Sequence, residues 1–171
     1  FSFSALSQKD ATLPYLSMAK AVSLRAWASP LRICILGHGL GGLAALVLKL
    51  KPNARIWGVE PDPKFLAYHK KNPVPRIRIS NDTAQRFLAR HHRKFDVIFD
   101  DIFVWQGKDG ARPEDCCDIA AAVRGKLKGG GIYVRNTIPS RGNARLLTLD
   151  IEKAFPFFFT RAFREFENKL I

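Results

Sequence analysis

The chain has 171 residues, 47% hydrophobic and 25% charged, which suffices for one domain with a substantial core. Its apolar runs are too short to span a bilayer and we find no signal-peptide pattern, so we expect a cytoplasmic protein without a membrane span. A formal net charge of +13 argues against a polycationic substrate and favours an anionic partner, either an acidic protein or nucleic acid.

The cysteine and histidine content predicts neither disulfides nor a metal site. Three cysteines cannot form a disulfide framework, and the adjacent Cys116 and Cys117 have no second pair at metal-ligand spacing. Cys34 lies in a predicted buried strand, so we expect reduced thiols. His91 and His92 lie in a basic cluster at a helix end and are interpreted as surface residues rather than metal ligands.

Taken in chain order, short β-type runs alternate with helical ones. The predicted strands cover residues 31–36, 54–60, 76–80, 95–101, 129–136 and 157–166. The predicted helices cover residues 42–51, 61–71, 82–92, 114–127 and 141–155. This alternation predicts βαβ units, hence an α/β fold with a mostly parallel sheet and a ligand site at the carboxyl ends of the strands.

Glycines and an acid follow the first two strands. Gly37, Gly39, Gly41 and Gly42 lie between the first strand and the first helix, where the backbone can approach a ligand closely, although a simple packing turn is the alternative. Glu60 ends the second strand about 20 residues later, where an acid binds ribose hydroxyls in nucleotide-binding folds. A surface acid is the alternative for Glu60, and NADP is disfavoured because its 2′-phosphate would be repelled.

More polar residues follow the third and fourth strands. Asp82, after Asn81, either bonds an adenine amino group or caps the next helix, and both roles are compatible. Asp100 and Asp101 end the fourth strand. NAD(H) and S-adenosylmethionine both fit this pattern. The short chain without a separate catalytic domain, and the acid after the third strand, favour an adenosyl-sulfonium ligand.

Four segments carry a family resemblance: "DATLPYLSMAKAVSLRAWASPLRICILGHGLGG", "IWGVEPDP", "FDVIFDD" and "LKGGGIYVRN". From about Asp10 to the C-terminus the chain resembles the spermidine synthase-like branch of class I S-adenosylmethionine-dependent methyltransferase folds. Tyr15 and Met18 match that branch's Tyr-x-x-Met. The resemblance implies a Rossmann-like three-layer sandwich of about seven strands in the order 3-2-1-4-5-7-6, with the antiparallel seventh strand truncated. It also implies a single domain over 1–171 with a helical lead-in at 1–30, lacking the family's N-terminal β-structured domain.

The resemblance also assigns site residues. The catalytic position of the aminopropyl-transferring members falls on Asp101, with Trp105 and Asn136 expected beside Asp100 and Asp101 on the acceptor side. Residues expected to bind the cofactor are Gly37, His38, Gly39, Leu40, Gly41, Glu60, Asn81, Asp82 and Asp100.

The chain departs from the aminopropyltransferase pattern in two places. Leu40 replaces an Asp that would pair with the ammonium of decarboxylated S-adenosylmethionine. After the fourth strand, "DIFVW" lacks the second acid and the proline of that family. Both departures, and the net charge, favour methyl transfer from S-adenosylmethionine to an unidentified acceptor over polyamine synthesis with the decarboxylated cofactor.

Other interpretations of the sequence stay open. The domain could be a catalytically inactive Rossmann-like module that binds a partner or RNA, and a homodimer is possible. Aromatic residues within 155–163 are interpreted as core, with an edge strand facing a partner as the alternative. Basic residues are spread over several elements, as ordinary solvated surface or as a nucleic-acid site: residues 70–71, Arg76, Arg78, residues 90–94, Arg124, Lys126, Lys128, Arg135, Arg141 and Arg145.

Overall fold

The computed structural model describes residues 15–106, 109–111, 119–137 and 146–157. Its strands are β1 (Arg32–Leu36), β2 (Arg55–Val59), β3 (Ile77–Ser80), β4 (Phe95–Asp100), β5 (Val104–Gln106), β6 (Asp109–Ala111) and β7 (Leu127–Arg135). Five of them form a parallel sheet in the order β3-β2-β1-β4-β7, and β5 pairs with β6 in a separate antiparallel hairpin. Because the five strands run the same way, their carboxyl ends meet at one edge of the sheet, the carboxyl edge, and their amino ends at the other, the amino edge.

Helices connect the parallel strands. They are α1 (Gly42–Leu50), α2 (Pro63–Lys71), α3 (Ala84–Arg90), α4 (Ala120–Lys126) and α5 (Leu146–Ala154). Ahead of β1, residues 15–19 are helical and continue into a 3₁₀ turn, Lys20–Ser23. Helix α2 begins at Pro63, two residues after its predicted start, and the Asp62 carboxylate caps it by accepting a hydrogen bond from Lys64 N at 2.8 Å.

The core lies on both faces of the sheet, because parallel strands are covered by helices on each side. Alternate residues of β1 show this: Ile33 and Ile35 pack toward α1 and the helical lead-in, while Cys34 and Leu36 pack toward α3 and α4. Each set is at most 1% exposed. A sheet buried on both faces is rigid, which fixes the loops that leave its two edges.

The predicted Rossmann-like α/β class with a mostly parallel sheet is confirmed. The order of the first five predicted strands, 3-2-1-4-5, matches the order observed, with β7 as the fifth. The β5–β6 hairpin was not predicted. The predicted strand at 157–166 and the seventh strand lie almost wholly outside the described residues, as do residues 1–14 of the lead-in, Cys116, Cys117, Arg141 and Arg145.

The structure also locates the cap of α3 and the side chain of His91. The N-cap of α3 is Thr83 rather than Asp82, and its hydroxyl accepts a hydrogen bond from Arg86 N. His91 is half-buried, and its ring stacks on Phe87 and Phe95 with centroids 4.4 and 5.3 Å apart. Within the described ranges we find no helix long and apolar enough to cross a membrane.

Candidate functional site

The glycine loop joins β1 to α1 at the carboxyl edge. Gly37, Gly39 and Gly41 all have positive φ, at 78°, 51° and 85°. A Cβ on Gly37 would lie 2.7 Å from the backbone carbon of Asp101, whereas a Cβ on Gly39 would meet no atom within 4 Å. Gly37 is therefore required by packing against the end of β4, while Gly39 leaves open space beside the loop.

Glu60 fastens this loop to the end of β2. Its side chain is buried, with Oε2 accepting a hydrogen bond from Gly39 N at 2.8 Å and Oε1 accepting one from Asp62 N at 3.0 Å. A carboxylate has about four acceptor positions, so both oxygens can accept further hydrogen bonds. Glu60 thus stabilises the loop and keeps acceptor capacity for hydroxyl groups of a ligand.

Asp101 follows β4 directly, beside Gly37. Asn136 Nδ2 donates to its Oδ1 at 2.9 Å, and the Tyr15 hydroxyl also donates to its carboxylate. Burial raises the pKa of Asp101 from its ordinary 3.8 to about 6; the neighbouring Asp100 raises it further, and the hydrogen bonds from Asn136 and Tyr15 oppose the rise. A carboxylate with this pKa is suited to accept a proton near neutral pH.

Asp100 points to the opposite face of the sheet and is fully buried. Its Oδ2 accepts hydrogen bonds from the Tyr133 hydroxyl and from Arg135 Nε, and Arg135 also forms a bidentate pair with Asp150 at 2.7 Å. These contacts join the ends of β4 and β7 to α5. The structure gives Asp100 an architectural position, and its assignment to the cofactor stays a prediction.

Asn81 and Asp82 lie beyond β3. Asn81 Nδ2 donates to the backbone oxygens of Glu60 and Pro61, both at 3.0 Å, so it orders the turn after β2. Asp82 accepts from Thr83 N and pairs with Arg90. A cavity of about 200 Å³ opens beside Asp82 on the α3 side. A contact of either residue with adenine stays a prediction.

His38 is the one loop residue whose surroundings the sequence did not indicate. It is buried beneath the glycine loop, where it packs on Gly58 of β2 and lies 4.9 Å from the His69 ring. Neither of its ring nitrogens has a hydrogen-bond partner among the described residues. Burial, then His69, lowers the pKa of His38 from 6.5 to about 4, so the ring is neutral at physiological pH.

Further residues around the glycine loop make contacts that the structure defines. His69 Nε2 hydrogen-bonds Gly39 O at 2.7 Å, a contact from α2 that no local pattern signals. Gly58, a glycine within a strand, was a usable signal for a close approach. Leu40 is 45% exposed. The side chain of Trp105 lies outside the described residues, and within the described residues no group of three or more metal-ligating side chains comes together.

Sequence comparisons relate part of the chain to a known protein. No protein-family model matches the chain. A Pseudomonas aeruginosa protein, polyamine aminopropyltransferase 1, is 33% identical over 96 residues, which are 51% of this chain and 34% of that protein. The match therefore spans about a third of that protein's length.

Solved structures extend the likeness to most of the chain. A probable spermidine synthase from Corynebacterium glutamicum superposes with a TM-score of 0.68 and 23% identity, over 84% of this chain and 53% of that one. Human Methyltransferase-like protein 13, solved with SAH, superposes with a TM-score of 0.66 and 18% identity, over 90% and 73%. The chain therefore shares the Rossmann-like fold of these two solved structures.

Proposed function

We propose that the carboxyl edge binds S-adenosylmethionine and that the domain transfers its methyl group to an acceptor not yet identified. The observation that carries this proposal is the position of Asp101. A half-buried carboxylate with a raised pKa lies against the glycine loop and is oriented by hydrogen bonds from two other elements. Such an arrangement is typical of a group that takes up a proton during a reaction.

The residues present fit an adenosyl ligand of this kind. The open space beside Gly39 allows a ligand to lie close to the backbone. Glu60, one strand further along the edge, has acceptor positions left for ribose hydroxyls. The SAH bound by human Methyltransferase-like protein 13 supports the same ligand class.

Methyl transfer requires that this chain supply a base for the acceptor's proton and hold that base in position. The bound sulfonium supplies an activated methyl group, whose C–S bond breaks with its electrons passing to sulfur as the acceptor's lone pair forms the new bond. Asp101 accepts the proton that the acceptor loses, and its pKa of about 6 leaves it ionised beforehand at pH 7. Asn136 and Tyr15 hold its carboxylate in place, so that a small displacement of the base does not lower the rate.

Aminopropyl transfer is the second candidate. The Pseudomonas aeruginosa match favours it, and Asp101 could receive a proton from an attacking amine equally well. Leu40 speaks against it, because an exposed apolar side chain offers no charge partner for the bare ammonium of decarboxylated S-adenosylmethionine. The two candidates therefore differ in which form of the ligand binds more tightly.

Calorimetric titration with S-adenosylmethionine, its decarboxylated form and methylthioadenosine tests the proposal. We expect the carboxylated form to bind most tightly. Glu60→Gln should weaken it about tenfold or more, because it replaces a charged acceptor. Glu152→Gln, the same change on the exposed face of α5, should leave binding unchanged.

Other results would change the assignment. Tighter binding of the decarboxylated form would favour aminopropyl transfer. Binding without turnover of any acceptor would favour a binding module, and no binding by the folded chain would overturn the proposal. Leu40→Asp sharpens the choice: it should improve affinity for the decarboxylated form a few-fold and leave the carboxylated form weaker or unchanged.

A further inference from the structure

The amino edge of the sheet collects basic residues that are far apart in the sequence. Each of the five parallel strands begins with a basic residue or directly follows one. The five are Arg32, Arg55, Arg76, Lys94 and Lys126. Since neighbouring strands lie about 4.8 Å apart, the five positions spread over roughly 20 Å. A row of this length exceeds what one phosphate group or one small anion requires.

The helices extend this row. Helices α1 to α4 each end at the amino edge with basic residues in the last turn. Lys49, Lys70 and Lys71 are exposed, whereas Arg90 pairs with Asp82, and Arg124 and Lys126 donate to the backbone oxygens of Ala154 and His91. The helix dipole favours cations at these ends, which accounts for part of the pattern. It does not account for Arg55, Arg76 and Lys94, which lie at the strand starts and are exposed.

Asp96, an acid close to this edge, does not neutralise the exposed cations of the row. The Asp96 carboxylate, near the start of β4, accepts hydrogen bonds from Lys128 Nζ and from the backbone N of Arg32, both at 2.8 Å. Arg55, Arg76 and Lys94 have no acidic partner among the described residues. In contrast, Glu60, Asp62, Asp82, Asp100 and Asp101 all lie at the carboxyl edge.

Two arginines near the amino edge are held by an aromatic ring, and a third has an unusual backbone conformation. Arg78 and Arg93 both lie over the Trp57 ring, with guanidinium carbons 6.0 and 5.8 Å from its centroid. Arg76 has a φ of 74°, a left-handed conformation that glycine or asparagine adopts at lower cost. A fixed guanidinium loses less freedom on binding and matches the geometry of a phosphate.

From this placement we propose that the amino edge binds the phosphate backbone of a nucleic acid. This edge lies opposite to the carboxyl edge, where the adenosyl site is proposed. An extended row of cations fits a polymer with a regularly repeated negative charge. Trp57 is only 8% exposed, so the contact is with phosphates rather than with stacked bases. The proposal does not depend on the function of the carboxyl edge.

The test is fluorescence anisotropy with labelled single-stranded and duplex oligonucleotides of about 20 nucleotides, between about 50 and 200 mM salt. The variant replaces Arg55, Arg76 and Lys94 with Gln. We expect its affinity to fall about tenfold or more, and the slope of log affinity against log salt to flatten by about 2 to 3. The control replaces two exposed cations in the first turns of α2 and α3, Lys64 and Arg86, which lie at the carboxyl edge, with Gln and should stay within about twofold.

Arg76→Gly separates binding from folding. Glycine suits the positive φ at this position, so the midpoint of denaturation should stay the same or rise, while affinity falls a few-fold. An equal loss in the control variant would mean that binding follows total charge, and this would overturn the proposal. The absence of oligonucleotide binding at low salt would also overturn the proposal. Binding only to vesicles rich in phosphatidylserine would overturn it too, and the exposed Leu50 and Val74 near this edge would then contribute to membrane binding.

Discussion

The two edges of the sheet differ in how their polar groups are held. At the carboxyl edge, Glu60, Asp100 and His38 are buried, and two of them are fixed by hydrogen bonds from several elements. At the amino edge, Arg55 and Lys94 are exposed and have no acidic partner among the described residues. A substitution at the carboxyl edge should therefore affect both folding and ligand binding, whereas one at the amino edge should affect mainly partner binding.

The difference follows from chain direction. In a parallel sheet every strand ends at the same edge, so the loops that leave it converge, and the acids following β2 and β4 come close to the glycine loop. The helices run back, so their negative ends and the cations that those ends favour meet at the other edge. A partly buried polar site and an exposed charged edge are thus produced by the same topology.

The largest effect is expected for Gly37→Ala at the carboxyl edge. A Cβ there would lie 2.7 Å from the backbone carbon of Asp101, and the φ of 78° is unfavourable for alanine. Strain and overlap together should lower the free energy of unfolding by about 3 kcal/mol or more. Denaturant titration measures this loss.

Gly39→Ala is the matched comparison. It has a φ of 51° but open space around the added methyl, so only the conformational cost of about 1 kcal/mol should appear. Its ligand affinity should nevertheless fall, because the methyl projects into the space assigned to the ligand. Equal stability losses in the two variants would show that Gly37 is not set by contact with β4.

His38→Leu is expected to change how stability depends on pH. The pKa of His38 is about 4 in the folded chain and 6.5 in the unfolded one, so the unfolded state binds more protons between these values. His38 therefore makes stability fall as the pH drops from 6.5 to 4, by about 1 kcal/mol per pH unit near pH 5. Leucine removes this dependence, and the variant should lose less stability than the parent on acidification.

Asp101→Asn should have the opposite effect on the pH profile. Because the pKa of Asp101 is raised to about 6 in the folded chain, the folded state binds more protons between pH 3.8 and 6, so stability falls as pH rises through this range. The asparagine variant should be more stable at pH 7 by about 2 kcal/mol and lose group transfer.

The two pH profiles check one another. In the parent chain, the contributions of His38 and Asp101 nearly cancel near pH 5. The slopes of the two variants between pH 4 and 6 should therefore deviate from the parent in opposite directions. Parallel profiles for all three proteins would mean that these groups titrate normally.

Local patterns predicted much of the fold and several of the residues that meet at the carboxyl edge. The glycine run and the acid at the next strand end are signals within a few residues, and Gly37, Glu60 and Asp101 lie together as the topology requires. The position of His38 beneath the loop could not be predicted, because it depends on His69 from another helix and on the absence of a side chain at Gly58.

The same limit applies to the cations. In the sequence they look scattered, since each belongs to a different helix end or strand start. The parallel direction of the strands brings Arg55, Arg76 and Lys94 to one edge, and the strand order sets their spacing along it. A charged surface made by topology is therefore visible in the structure but not in any window of the sequence.

The smallest effect on stability is expected at this amino edge. Arg55→Gln and Lys94→Gln should each change the free energy of unfolding by no more than about 0.5 kcal/mol, because both side chains are exposed. The change should be toward higher stability at low salt, since a net charge of +13 repels itself. Denaturant titration at two salt concentrations measures both the size and the sign.

Asp96→Asn gives the contrast within the same edge. Asp96 accepts hydrogen bonds from Lys128 Nζ and Arg32 N, so its neutralisation should cost about 1–2 kcal/mol and leave Lys128 unpaired. If Arg55→Gln cost as much as Asp96→Asn, Arg55 would be a structural residue, and the division between a tightly held carboxyl edge and a freely substitutable amino edge would fail. If it costs nothing while oligonucleotide affinity falls, the amino edge is a surface whose charges serve a partner rather than the fold.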